Sequence, residues 1–159
     1  MISIIAIIST IAIVSLGPAR VNARNNTRKA NLVQISKALE AYNIDNGAYP
    51  STGGLWHGAC NDYGPFLDSG AGAWIPNFGS YMTLLPHDPN TNKVNSSSAA
   101  PTCRSIGTNN CYLYNSNGTD YKLLAHCIPE GAMLSTDPFY DPNRPTWAWQ
   151  VSSSGGAGW

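Results

Sequence analysis

The run "SIIAIISTIAIVSLGPAR", beginning at Ser3, limits what this chain can become more than any other stretch. Residues 1–16 carry no charge, and the run ends at Gly17-Pro18 with arginines directly behind it. As a helix, sixteen residues reach about 24 Å at about 1.5 Å each. A bilayer's hydrocarbon core is about 30 Å thick and needs roughly 20 residues, so the segment is slightly short to span alone. Ser3, Ser9, Thr10 and Ser15 can return their hydroxyls to helix carbonyls. A signal peptide is the competing reading: the apolar length fits and Val21-Asn22-Ala23 offers small residues for cleavage. No basic residues precede the run, however, and Arg20 and Pro18 lie awkwardly near the cut. At Pro18 the missing N–H removes the bond to the carbonyl of Val14, which predicts a kink or a short melted turn at Gly17-Pro18.

From Ala19 a helical pattern resumes in "ARVNARNNTRKANLVQISKALEAYNIDNG". Leu32, Ile35, Leu39 and Tyr42 recur at spacings of three, four and three, so they share one stripe. Asp45-Asn46-Gly47 ends the helix, with Gly47 suited to the left-handed position after the last turn. Residues 48–110 then read as loop, containing Trp56, Trp74 and the polar run "NTNKVNSSSAAP". "CYLYNS" and "DYKLLAHC" flank Asn117-Gly118, a strong hairpin dipeptide. In "TWAWQV" the residues Trp147, Trp149 and Val151 alternate with Thr146, Ala148 and Gln150, giving one large apolar face. A sheet of residues 111–115, 121–127 and 146–151, laid over the helix stripe with both tryptophans inward, would bury both surfaces.

Charged residues are only 11% of the chain, and nine Lys plus Arg balance nine Asp plus Glu. Excess positive charge is what nucleic acids and anionic membranes require of a partner, so no specific nucleic-acid partner is expected. The four cysteines, Cys60, Cys103, Cys111 and Cys127, form no CxxC pair and no cysteine-histidine cluster. They read as two disulfides rather than a zinc site, which places the domain in an oxidising compartment. Four cysteines allow three pairings. Cys103 and Cys111 bracket the short loop "RSIGTNN" and are expected to pair locally, leaving Cys60 for Cys127.

The order of parts resembles the type IV pilin-like family, bacterial pilins and the pseudopilins of type II secretion. The residues that carry the resemblance are the isoleucine-rich helix and "ARVNARNNTRKANLVQISKALEAYNIDNGAYPS", together residues 4–51. It is looser over "SNGTDYKLLA" and "DPNRPTWAWQV". The resemblance implies an α+β fold: a long N-terminal hydrophobic helix, residues 1–24, continues into an amphipathic helix, 25–46. That helix packs on a small antiparallel sheet within a globular domain, 25–159, with a variable loop region, 48–110, and a sheet with a C-terminal loop, 111–159. It implies a structural subunit of an extracellular filament at the cell surface, held in the inner membrane before assembly and handled by a pilus assembly machinery. Ile4, Ile5, Ile7, Ile8, Ile11, Ile13, Val14 and Leu16 would pack against identical subunits in a helical homo-oligomer. The family also begins with a leader ending in glycine and has an early glutamate. This chain opens Met1-Ile2-Ser3-Ile4-Ile5, and several residues upstream of Met1 are expected.

Catalytic patterns are absent from the sequence: it has no GxSxG, HExxH, P-loop or GxGxxG, and His57, His87 and His126 are far apart. No enzyme is expected. Asp137 and Asp141 in "TDPFYDPN" could offer oxygen ligands to calcium, as some pseudopilins hold calcium near this place, although Asp-Pro is also ordinary turn chemistry. The sequons at Asn25, Asn95 and Asn117 are glycosylation candidates. The competing function is a secreted carbohydrate- or surface-binding module, with residues 1–23 cleaved as a signal peptide and its tryptophans facing a sugar.

Overall fold

The helical spacing over residues 19–46 belongs to a much longer element. The structure is a computed structural model that describes residues 2–58, 60, 63–64, 66–90, 103 and 111–159, with side chains from residue 17 onward. Helix α1 spans Ile2–Asn46, 45 residues in one piece with Pro18 inside it. The melted turn expected at Gly17-Pro18 is therefore not present. A proline deletes one ladder bond, and the bonds of the turns on either side carry the helix through. The C-terminal stop is where the sequence puts it. Gly47 has φ 73° and donates to the Asn43 carbonyl at 2.8 Å, a backbone setting that penalises a Cβ. Among the described residues no helix is long and apolar enough to cross a membrane.

The sheet has four antiparallel strands in the order β1-β2-β3-β4: β1 His57–Gly58, β2 Cys111–Ser116, β3 Tyr121–His126 and β4 Ala148–Ser152. The β2–β3 hairpin forms around Asn117-Gly118, as its sequence demands. Its loop covers four residues because the Asn117 carboxamide oxygen accepts the N–H groups of both Thr119 and Asp120, at 2.9 and 2.8 Å. Strand β1 has no counterpart in the sequence pattern, being two residues long. It depends on Gly58, where an added Cβ would lie 2.5 Å from the Leu113 side chain.

Strand alternation sorts the sheet into two faces. Tyr112, Tyr114, Tyr121, Leu123, Ala125, Trp149 and Val151 share the face that meets α1, where Leu32, Ile35 and Leu39 are completely buried and Tyr42 is half-buried. The helix stripe and most of the sheet face are thus as the spacing predicts. Trp147 is not on that face. It lies one residue before β4, in a turn where its carbonyl accepts the Cys127 N–H at 2.8 Å, and its ring packs on His126 across the sheet. Alternation holds only inside a strand, so the pattern Trp147-Trp149-Val151 breaks at its first member.

The loop region contributes more than connection. Trp74, Ile75, Phe78 and Leu85 are buried in the same core as the helix stripe. Phe78 and Tyr81 stack near Tyr42, with ring centroids 6.2 and 5.1 Å from the Tyr42 ring. Leu39→Ala removes a fully buried side chain and should cost about 2–5 kcal/mol. Lys37→Ala, on the exposed side of the same helix, should stay within about 0.5 kcal/mol. Equal denaturation midpoints for the two variants would show that the packing face is misassigned.

Candidate functional site

The spacing that makes the apolar stripe does not stop at Leu32. Counting backwards by four and three reaches Arg28 and Asn25, so a charged and a polar residue are aimed at the domain by helical geometry alone. Arg28 is completely buried. Its guanidinium grips Asp88 with two bonds, Nε to Oδ2 at 2.6 Å and Nη2 to Oδ1 at 3.0 Å. Nη1 donates to Glu130 Oε1 at 2.7 Å and to Asn25 Oδ1 at 2.8 Å. One turn earlier Arg24 donates from Nε to Glu130 Oε1 at 2.6 Å and pairs through Nη2 with the other oxygen. Asn25 completes the joint: its amide donates to the Glu130 carbonyl at 2.8 Å and its oxygen accepts the Glu130 N–H at 3.1 Å. This cluster is a seat that fixes α1 to two separate loops, residues 85–90 and 128–131.

The electrostatics follow from the pairing. The Arg24 hydrogen bond, reinforced by Arg28, holds the Glu130 carboxyl below its ordinary range. Burial would weaken the Arg28 charge, but the bonds to Asp88 and Glu130 outweigh it and the guanidinium is held above its ordinary value. Beside the seat, Lys29 pairs with Asp137 and its ammonium lies 4.5 Å from the centre of the Trp149 ring. Burial alone would raise Asp137, yet the Lys29 bond and the Phe139 N–H prevail and lower it.

The two aspartates considered for calcium serve different lysines. Asp137 faces Lys29, while Asp141 is completely buried between Lys122 at 3.2 Å and Arg144 at 3.0 Å. Each also accepts a backbone N–H two residues on, from Phe139 and Asn143. The two carboxylates therefore each face a lysine ammonium rather than one another. Among the described residues no three His, Cys, Asp or Glu side chains gather as a metal site. His87 pairs with Asp68 at 3.0 Å, and His57 stacks on Phe66.

The disulfides join Cys60 to Cys111 and Cys103 to Cys127, which corrects both expected pairings. The reason is register. His57 faces Tyr114 and Gly58 faces Leu113, so the same antiparallel count carried two residues further puts Cys60 opposite Cys111. Cys103 is then left for Cys127, at the far end of β3. Sequence proximity favoured the short loop; strand pairing brings the distant cysteine closer.

Of the sequons, Asn25 is engaged in the seat and Asn117 caps its own turn, while Asn95 lies outside the described residues. The side chains of Ile4, Ile5, Ile7, Ile8, Ile11, Ile13, Val14 and Leu16 also lie outside the described set, although their backbone belongs to α1. Sequence reading missed the seat because the acidic partners of Arg24 and Arg28 lie far away along the chain. The signal was present in the spacing 25, 28, 32, 35, 39, 42. In comparisons with known proteins, no family model, no curated protein and no solved structure matches the chain.

Proposed function

We propose that the protein is a structural, non-catalytic subunit of an extracellular filament of the type IV pilus kind, polymerising through the N-terminal half of α1. The observation that supports this reading is the length of α1 beyond its seat. The domain first grips the helix at Arg24, and residues 17–20 are exposed, yet α1 continues back to Ile2. That extension is some 22 residues, about 33 Å at about 1.5 Å per residue. Most of it is the uncharged isoleucine run. Such a surface is not stable facing water. A bundle of identical helices buries it with no further chemistry, and the inner membrane can shelter it before assembly. The assembly machinery would then only have to move a helix from one apolar environment to another. The Arg24–Arg28 seat suits this role, since it ties the shared helix to the domain that would decorate the filament surface. The two disulfides agree with an oxidising exterior.

The test is a variant lacking residues 1–19, which keeps the seat intact. The full chain should form fibres visible by electron microscopy, and the variant should sediment as a soluble monomer. Fibres from the shortened protein would refute the reading. So would an intact mass showing that surface material lacks residues 4–16.

A further inference from the structure

The chain contains two Asn-Gly pairs, Asn46-Gly47 at the end of α1 and Asn117-Gly118 at the tip of the β2–β3 hairpin. In this dipeptide a backbone nitrogen most readily attacks the preceding carboxamide, because glycine has no Cβ to obstruct the approach. Both asparagines are exposed, so accessibility does not separate them. Their bonding does. At Asn46 the carboxamide nitrogen donates to the Tyr42 carbonyl at 2.9 Å and to the Tyr81 hydroxyl at 3.1 Å. The neighbouring Gly47 N–H donates to the Asn43 carbonyl at 2.8 Å. Attack there would have to unwind the last helical turn and strip the leaving amide of both partners.

At Asn117 the bonds fall on the other atom of the carboxamide. Its Oδ1 accepts the N–H groups of Thr119 at 2.9 Å and Asp120 at 2.8 Å, while Nδ2 has no partner among the described residues. Two backbone donors at this distance form an oxyanion hole: they polarise the carbonyl and strengthen as negative charge develops on its oxygen. The Gly118 N–H is also bonded, to Ser116 Oγ at 3.0 Å. That partner is a hydroxyl able to turn about its own side-chain bond, whereas the helix carbonyl facing Gly47 is fixed. It slows the attack without forbidding it.

We propose that Asn117 is a self-modification site, converted by the chain's own backbone and one water into aspartate and isoaspartate. Gly118 N attacks Asn117 Cγ, forming a C–N bond while the carbonyl electrons move onto Oδ1. The Gly118 proton passes to water, the Cγ–Nδ2 bond breaks, and Nδ2 takes up a proton from water and leaves as ammonia. The resulting succinimide adds one water. Opening at Cγ gives aspartate; opening at the backbone carbonyl gives isoaspartate, with one extra methylene in the main chain. Either product adds a negative charge to a chain of zero formal net charge. The lengthened backbone also displaces Gly118, whose carbonyl accepts the Tyr49 N–H at 2.8 Å just beyond α1. The site lies on the domain and not on the N-terminal half of α1, so the reaction is independent of polymerisation.

The experiment keeps the full chain folded in detergent micelles at mildly alkaline pH, beside a reduced sample in concentrated guanidinium chloride. Peptide mapping by mass spectrometry follows positions 46 and 117 with time. In the folded chain Asn117 should convert at least about tenfold faster than Asn46, a difference of about 1.4 kcal/mol in barrier. In the denatured sample, where only the following glycine matters, the two rates should agree within about threefold. Equal rates in the folded chain, or a faster Asn46, would overturn the assignment. So would an Asn117 that stays intact when folded while the denatured sample converts. Asn117→Asp can accept the same two N–H groups and should leave amide exchange at Tyr49 as in the wild type. The isolated isoaspartate fraction should exchange faster there. Identical exchange in the two would overturn the effect on Tyr49.

Discussion

Replacing Arg28 by alanine should destabilise the domain by about 3–5 kcal/mol, because it strands Asp88 and weakens the hold on Glu130 in a dry setting. Both side chains of the Arg28–Asp88 pair are almost fully enclosed, at 0% and 5% exposure, so water cannot replace the missing guanidinium. Arg28→Lys should recover little, since an ammonium cannot span both Asp88 oxygens and reach Glu130 at once. The pair as such is a different matter. Changing Arg28 and Asp88 together to leucine removes both desolvation costs and should restore much of the stability. A double-mutant cycle in urea separates the two effects. Acid should loosen the same joint. Glu130 has its folded pKa below the ordinary 4.5, so its contribution is complete above that pH and is lost as pH falls through the lower folded value. The wild type should therefore lose stability below about pH 4.5, and Arg28→Ala should lose less over that interval. A penalty under about 1 kcal/mol for Arg28→Ala would mean that the seat does not anchor the helix.

That buried arginine marks the boundary of what the sequence could say. Periodicity is a statement about direction, and it located Leu32, Ile35 and Leu39 correctly because apolar side chains on a stripe need only some apolar partner. Arg28 obeys the same period, but its burial requires particular carboxylates, and these stand 60 and 102 residues away along the chain. No local pattern encodes such a meeting. The hairpin at Asn117-Gly118 was legible because turn chemistry is local. Strand β1 was not, since two residues cannot display an alternation, and its existence follows from Gly58 lying close against Leu113. Trp147 failed for a related reason: the alternation was real from Ala148 onward, and the turn before it reversed the side of the sheet. The α+β arrangement of one long helix on an antiparallel sheet was therefore readable, whereas the ionic seat depends on tertiary pairing.

Removing the Cys60–Cys111 link by a double alanine substitution should cost about 4 kcal/mol in the chain-entropy account, and removing Cys103–Cys127 about 3 kcal/mol. The order follows from sequence separations of 51 and 24, because the longer closed loop constrains the unfolded chain more. The folded state should respond unequally too. Strand β1 is too short to hold the sheet edge by ladder bonds alone. The Cys60–Cys111 bridge sits two residues beyond it in the same register, so it fixes the edge that carries Trp56. Without the bridge, amide exchange at residues 55–58 should accelerate by orders of magnitude, while β3, paired on both sides by β2 and β4, keeps its protection. Without Cys103–Cys127 the edge should remain protected, since that link ties a loop to the residue after β3 and does not touch β1. Non-reducing peptide mapping of the wild type should give Cys60 with Cys111 and Cys103 with Cys127. Recovery of a Cys103–Cys111 peptide would overturn the register. If both double variants showed the same protection at residues 55–58, the bridge would not be what holds β1 against β2.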